Sequence, residues 1–205
     1  QEVTDESHEK TLFLSYCQKD SDIANLIEEG LAPHINGKAR ISRDIRDVEY
    51  HESFKKFMQT IEMHDFVIMI ISDHYLKSRN CMFEVLEVIK DSQFQKKLAF
   101  IVLSDEDIQY YQNQDIPSIG AKVYSLEGQT TYSLYWENVE TELQGQIETL
   151  GDPTRAIHQI KEKRIVQRIL LDLPEFIEFI KDAKGLPLSE HIDSGFKDIL
   201  KFLGI

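Results

Sequence analysis

Ser78, Cys81 and Glu84, spaced three residues apart in the stretch SRNCMFEVLEVIK, bring a hydroxyl, a thiol and a carboxylate to one side of a predicted helix. On a helix beginning near Asn80, residues Cys81, Met82, Val85, Leu86, Val88 and Ile89 form a broad apolar stripe, with Lys90 opposite and Glu84 at the stripe's edge beside Val88. A glutamate in the first turn is favoured as an anion by the helix dipole, so Glu84 is expected to stay ionised while partly desolvated. That makes it the candidate for chemistry, set against the plainer reading of an ordinary first-turn glutamate. Glu87, one turn further from the stripe, is the internal comparison.

Other chemistries find less support. No GxGxxG follows a strand and no GxxxxGK occurs, so neither common phosphate loop is present. The seven histidines show no metal-ligand spacing and two cysteines do not complete a zinc set, so no metal and no cofactor is expected. Ser72, Asp73 and His74 are adjacent, whereas the groups of a triad converge from separate segments; they read as a strand end turning into a loop. The net charge of −13 opposes binding to a phosphate backbone, which excludes a nucleic-acid role. Arg40, Arg43 and Arg46 could still meet a small phosphate-bearing ligand. No apolar run approaches the roughly 20 residues of a membrane span. The polar N-terminus QEVTDESHEK has no secretory pattern, and Cys17 and Cys81 are too few for a disulfide framework, so reduced thiols and a cytoplasmic location are expected. Gln1 in place of an initiator Met suits an excised or processed piece.

The elements that must position these residues alternate. TLFLSY (11–16) reads as a buried strand, SDIANLIEEGL as a helix with Ile23, Leu26, Ile27 and Leu31 inward, capped by Asp20 or Ser21, and KARIS as a second strand. FKKFMQTIEM predicts a helix, and DFVIMIIS, nearly continuously apolar and β-branched, a central parallel strand covered on both faces. A helix over 80–91, a strand over 98–104 and a weaker fifth strand over 121–126 follow. The pattern predicts an α/β fold with a parallel sheet and right-handed crossovers, whose ligands bind beyond the carboxyl ends of the strands. Ser15, Tyr16, Arg43, Asp44, Ser72, Asp73 and Ser104 fall at those ends. Beyond residue 130 helices are predicted over 132–150 and 154–183, with a last one from about 194.

Together these pieces resemble a TIR domain, the Toll/interleukin-1 receptor module of immune receptors and bacterial defence proteins. FLSY (13–16) is similar to its first-strand box, SRD (42–44) to the start of its BB loop, SDHYLKSRNCMFEV to its third-strand box with Ser-x-x-Cys-x-x-Glu on Ser78, Cys81 and Glu84, and YWENV (135–139) to its late aromatic box. The resemblance covers about residues 11–140, leaving 1–10 as a flexible N-terminal segment and 141–205 as a helical extension packed on the domain. It implies a flavodoxin-like sheet of five parallel strands and, in enzymatic members, cleavage of NAD+ at the nicotinamide–ribose bond with Glu84 as the catalytic carboxylate. NAD+ is then substrate, not cofactor. Ser15, Tyr16 and Cys17 form the wall after the first strand, Arg43 and Asp44 open the BB loop, Phe54 sets a ring against a base or nicotinamide, and Asn80 and Cys81 flank Glu84. The loop lacks the family's usual glycine, with His51 near that place. Asn80 stands where some members carry an aromatic residue, and Cys17 replaces a basic one.

Two functions follow from the resemblance. One is an NAD+ nucleosidase or ADP-ribosyl cyclase of bacterial antiphage defence, self-associating through other TIR domains and answering to a partner effector or sensor domain. The other is a non-catalytic adaptor that works by TIR–TIR association alone, for which residues 45–52 matter and Glu84 does not.

Overall fold

The computed structural model describes residues 9–43, 53–183 and 185–205, the side chains of 53–57 excepted. Strand β1 (Lys10–Ser15) leads through a 3-10 turn at Gln18–Asp20 into α1 (Ser21–Ile35), then β2 (Ala39–Arg43), α2 (Ser53–Met63) and β3 (Phe66–Ile71). Next come α3 (Asp73–Lys77), α4 (Arg79–Val88), α5 (Ser92–Gln95), β4 (Leu98–Val102) and a 3-10 turn at Asp105–Tyr110. The chain ends with α6 (Leu126–Leu150), α7 (Ile157–Asp182), β5 (Leu186–Pro187), α8 (Leu188–Asp193) and α9 (Lys197–Leu203).

The five strands form one sheet in the order β2-β1-β3-β4-β5, every pairing parallel. Strand alternation sends side chains to two separate cores. Phe13, Val67, Met69, Ile71, Phe100 and Val102 pack on α4, α6 and α7, whereas Leu12, Leu14, Ile68, Ile70, Ile101 and Leu103 pack on α1, α8 and α9. Each fully buried aliphatic side chain contributes about 1.5–3 kcal/mol. With both faces covered, β3 reads as the unbroken apolar run FVIMII.

The fifth strand is not where the alternation in AKVYSL places it. Ala121 and Val123 are buried and the Ala121 amide still bonds to the Leu103 carbonyl, but the chain then turns and Ser125 caps α6 by accepting from the Gly128 amide at 3.0 Å. Gly128 lies so close to the Lys122 carbonyl that a Cβ would come within 2.1 Å of its oxygen, which lets α6 begin here and not at 132. The edge position is filled by Leu186–Pro187, opposite Ile101 and Val102. A proline suits an edge because it has no N–H to donate outward. α7 is also shorter than the expected 154–183, α9 starts after 194, and α8 was not anticipated.

Helix α7 runs back along α6, joined by Lys163 to Gln144 at 2.8 Å and Gln167 to Glu140 at 2.6 Å. Its other side lies along α4: Arg79 pairs with Glu162, Arg168 with Glu87 at 2.6 Å, and Lys90 with Asp172 at 2.9 Å. The helix that carries Glu84 is therefore clamped along its length by residues about 80 positions later in the chain.

Candidate functional site

β1 and β3 end side by side, and a buried carboxylate ties their ends together. After Ser15 the chain makes a tight turn in which the Asp20 amide bonds to the Cys17 carbonyl at 2.7 Å, turning the Asp20 side chain inward and leaving it fully buried. Although Asp20 holds the N-cap position of α1, its side chain makes no cap hydrogen bond. Instead it accepts from the Ser72 hydroxyl, pairs with His74 Nδ1 at 2.7 Å and accepts from the Tyr111 hydroxyl at 2.8 Å. Ser72 also caps α3 by accepting from the Tyr75 amide at 2.9 Å. Its hydroxyl is thus directed at a carboxylate and a helix end and at no general base, so Ser72 and His74 are anchors and not members of a triad.

The carboxylate raises His74 above its ordinary pKa of 6.5, chiefly through their hydrogen bond, while burial pulls the other way. A raised folded-state value means stability that is complete below pH 6.5 and lost as pH climbs through that value. Urea titrations from pH 6 to pH 8 should therefore show the wild type losing about 1 kcal/mol or less relative to His74→Gln, since the ring keeps 14% of its surface in contact with screening solvent. Burial and the nearby Asp20 carboxylate push Tyr111 upward, so its hydroxyl stays a donor.

Helices α3, α6 and α7 together bring α4 to the same place. Trp136 Nε1 donates to the Leu76 carbonyl at 3.0 Å, Tyr132 to Asp73 at 3.2 Å and Tyr135 to the Lys77 carbonyl at 3.2 Å, so the late aromatic box pins α3. Ser78 follows and caps α4, accepting from the Cys81 amide at 3.4 Å. Arg79 grips Glu162 through two nitrogens, at 2.9 Å and 3.0 Å. Burial lowers the Arg79 pKa, and the charges of Glu162 and Glu84 oppose that shift.

Glu84 departs from its expected setting in two respects. It lies in the second turn of α4, whose first turn holds no acidic residue, so the dipole that fades after one turn is not its main support. It is also buried, at 2% exposure, and not at the edge of the stripe, because α4 is covered along its length. The guanidinium of Arg79 supplies a compensating charge. Glu87 meets Arg168 and Lys90 instead.

Cys81, one turn before Glu84 on the same helical face, is buried, and its side chain hydrogen-bonds Cys17. That bond, ahead of opposing burial, lowers the Cys17 thiol to about 7. Neither thiol is in a disulfide and Cys17 is the more exposed, so iodoacetamide near neutral pH should label Cys17 about tenfold or more faster than Cys81, read by peptide mass spectrometry.

The sequence-derived set divides accordingly. Ser15 and Cys17 alternate with Phe13 toward the α4 face, where Cys81 and Glu84 lie; Tyr16 packs in the opposite core with α1. Arg43 also belongs to that other side, bonded to Asn25 at 2.6 Å and to Glu28 at 2.5 Å on α1, so it is not brought to Glu84. Asn80 is exposed at the start of α4 and accepts from Arg79 at 2.8 Å. Asp44 and the Phe54 side chain lie outside the described residues, as do 45–52. The Asp20, Ser72, His74 and Tyr111 cluster was missed; the polar types at two strand ends were the available signal. Among the described residues no group of three or more His, Cys, Asp or Glu could hold a metal ion, and no helix is long and apolar enough to cross a membrane.

Comparison with known proteins adds a family match: the model described as "TIR domain" covers residues 12–127, more than half of the chain. Among solved structures a likeness falls on the TIR domains of the activated Roq1 resistosome directly recognizing the pathogen effector XopQ, at 12% identity over 94% of this chain and 98% of that one, with a TM-score of 0.44. A superposition that loose carries no argument. No curated protein matches the chain.

Proposed function

The chain belongs to the TIR domain family, and from that premise we propose that it is an NAD+ nucleosidase with Glu84 as its catalytic carboxylate. The observation that carries this reading is a glutamate at 2% exposure on α4, one turn from a cysteine bonded to the end of β1, at the carboxyl edge of a parallel sheet. Ligands of such sheets bind beyond that edge. The Arg79 guanidinium supports that buried carboxylate in the resting chain, and the positive charge that grows on the ribose as the nicotinamide–ribose bond breaks is a second partner for it.

The chemistry needs little else. Nicotinamide leaves a pyridinium as a neutral molecule, so no general acid has to protonate it, and one carboxylate can replace the pair used by ordinary glycosidases. Glu84 binds the ribose hydroxyls and stabilises the oxocarbenium charge that grows toward the transition state. Water then adds at the anomeric carbon and loses a proton to give ADP-ribose, or a nucleophile of the same molecule closes a cyclic isomer. Ser15, Cys17 and Cys81 line the approach. The protein acts in the cytoplasm, in bacterial antiphage defence, and self-associates with other TIR domains, so its rate rises with concentration.

The test is nicotinamide release from NAD+ at increasing protein concentration, with products separated by chromatography. A rate per subunit that climbs with concentration supports the reading, and the second product peak separates hydrolysis from cyclisation. NAD+ left intact by the concentrated, folded chain would tell against it and favour the adaptor.

A further inference from the structure

At the other end of the sheet, β5 covers β4 only at Ile101 and Val102. Beside the amino half of β4 lies a cavity of about 300 Å³, walled by Leu98, Phe100, Leu186, Ile199 and Phe202. His191 of α8 lines it at 3% exposure, and neither of its ring nitrogens has a hydrogen-bond partner among the described residues. Buried polar atoms in folded proteins are nearly always paired, so two orphans on one ring require an account.

Packing, not hydrogen bonding, holds this imidazole. It stacks on Phe196 with ring centroids 6.3 Å apart and planes 11° from parallel. Phe196 itself adopts the left-handed φ of 59° and leans against Gly30, where a Cβ would meet the ring at 2.3 Å. Below, α9 is fastened to the sheet by Phe202 against Phe66 at 5.1 Å and by Lys10 reaching the Leu203 and Gly204 carbonyls. The walls and the ring are therefore set before anything enters.

We propose that this cavity binds a small uncharged molecule with an apolar body and a head group that both donates and accepts a hydrogen bond, such as a carboxamide, with His191 supplying both complementary atoms. A neutral imidazole carries one N–H donor and one lone-pair acceptor, and a carboxamide answers both. The apolar walls select the body, and the volume falls at the small end of ordinary ligand pockets. Charged ligands are disfavoured: burial holds His191 below its ordinary pKa and so neutral, against the pull of the Asp198 carboxylate, and an ion would lose its water to apolar walls with no opposite charge on the ring to repay it. Lys96 and Gln95, at the end of α5, complete the polar rim. The site lies at the amino ends of the strands, opposite Glu84, and does not depend on the function proposed for that residue.

The experiment is NMR of the histidine ring nitrogens in the full chain labelled at histidine, titrated with benzamide as probe and benzoate as charged control. Benzamide should move both His191 nitrogens in a saturable way in the millimolar range, as suits a ligand of so few atoms, while benzoate leaves them in place. Ala99→Leu, which fills the cavity from β4, should abolish the shift; if that variant does not fold, Ile199→Phe narrows it from α9. The proposal is overturned if benzamide leaves the His191 signals unmoved or if the shift survives filling. It is equally overturned if the ring N–H of the free protein exchanges with solvent as fast as that of an exposed histidine, the mark of a cavity satisfied by water.

Discussion

Glu84→Gln should lower the rate of nicotinamide release from NAD+ by roughly a hundred- to a thousandfold, the loss typical of removing one electrostatic group aimed at developing charge. The substitution keeps the shape of the side chain and an acceptor oxygen, and removes only the charge. Because the oxocarbenium charge exists in the transition state and not in bound NAD+, the fall should appear in kcat, with KM little changed. The fold should survive, since Arg79 keeps its two-nitrogen grip on Glu162. Glu87→Gln is the matched control: its carboxylate meets Arg168 and Lys90 at the surface between α4 and α7, so it should cost about 1 kcal/mol or less in stability and leave kcat within about twofold. Steady-state kinetics on the three proteins decides. A Glu84→Gln protein that is folded and retains wild-type kcat would remove Glu84 from the mechanism, and one in which KM alone rises would reduce it to a binding residue.

The sequence disclosed what is local and hid what is distant. The unbroken FVIMII run and the alternation of Leu12, Phe13 and Leu14 follow from strand geometry, so a doubly covered parallel sheet was legible in them. The fifth strand was not, because two residues ending in proline carry no periodicity, while AKVYSL has the alternation of a strand but runs into the cap of α6. Glu84 could be placed on its helix, but its burial comes from tertiary packing that the helical pattern does not encode, just as α4 is held to α7 through residues 83 positions apart in the case of Arg79 and Glu162. Arg43 stood at a strand end as expected, yet the parity of β2 turns it toward α1. Asp20 shows the same limit most clearly: read locally it is a helix cap, whereas its partners lie 52, 54 and 91 residues away.

Those three partners make Asp20 a costly polar side chain to remove. Asp20→Ala should destabilise the protein by about 3–5 kcal/mol, the range for breaking a buried charge pair. A fully buried carboxylate that accepts from Ser72, His74 and Tyr111 leaves three polar groups unsatisfied when it goes. Each orphan costs about 1–3 kcal/mol if it stays dry. The total falls below the sum because His74 is only partly buried and can rehydrate. Tyr111→Phe, which deletes one donor and leaves the carboxylate its other two partners, should cost about 1 kcal/mol. The double variant should then lose less than the two single losses combined, because with Asp20 gone the Tyr111 hydroxyl has no acceptor left to lose. Urea unfolding of the four proteins gives the cycle directly. Simple additivity, or an Asp20→Ala cost near zero, would mean that β1 and β3 keep their ends together without this carboxylate. A loss of the expected size is a large share of the ~5–15 kcal/mol that holds a domain together. The turn that orients Cys17 toward Cys81 would then rest on a carboxylate bonded to Ser72, His74 and Tyr111.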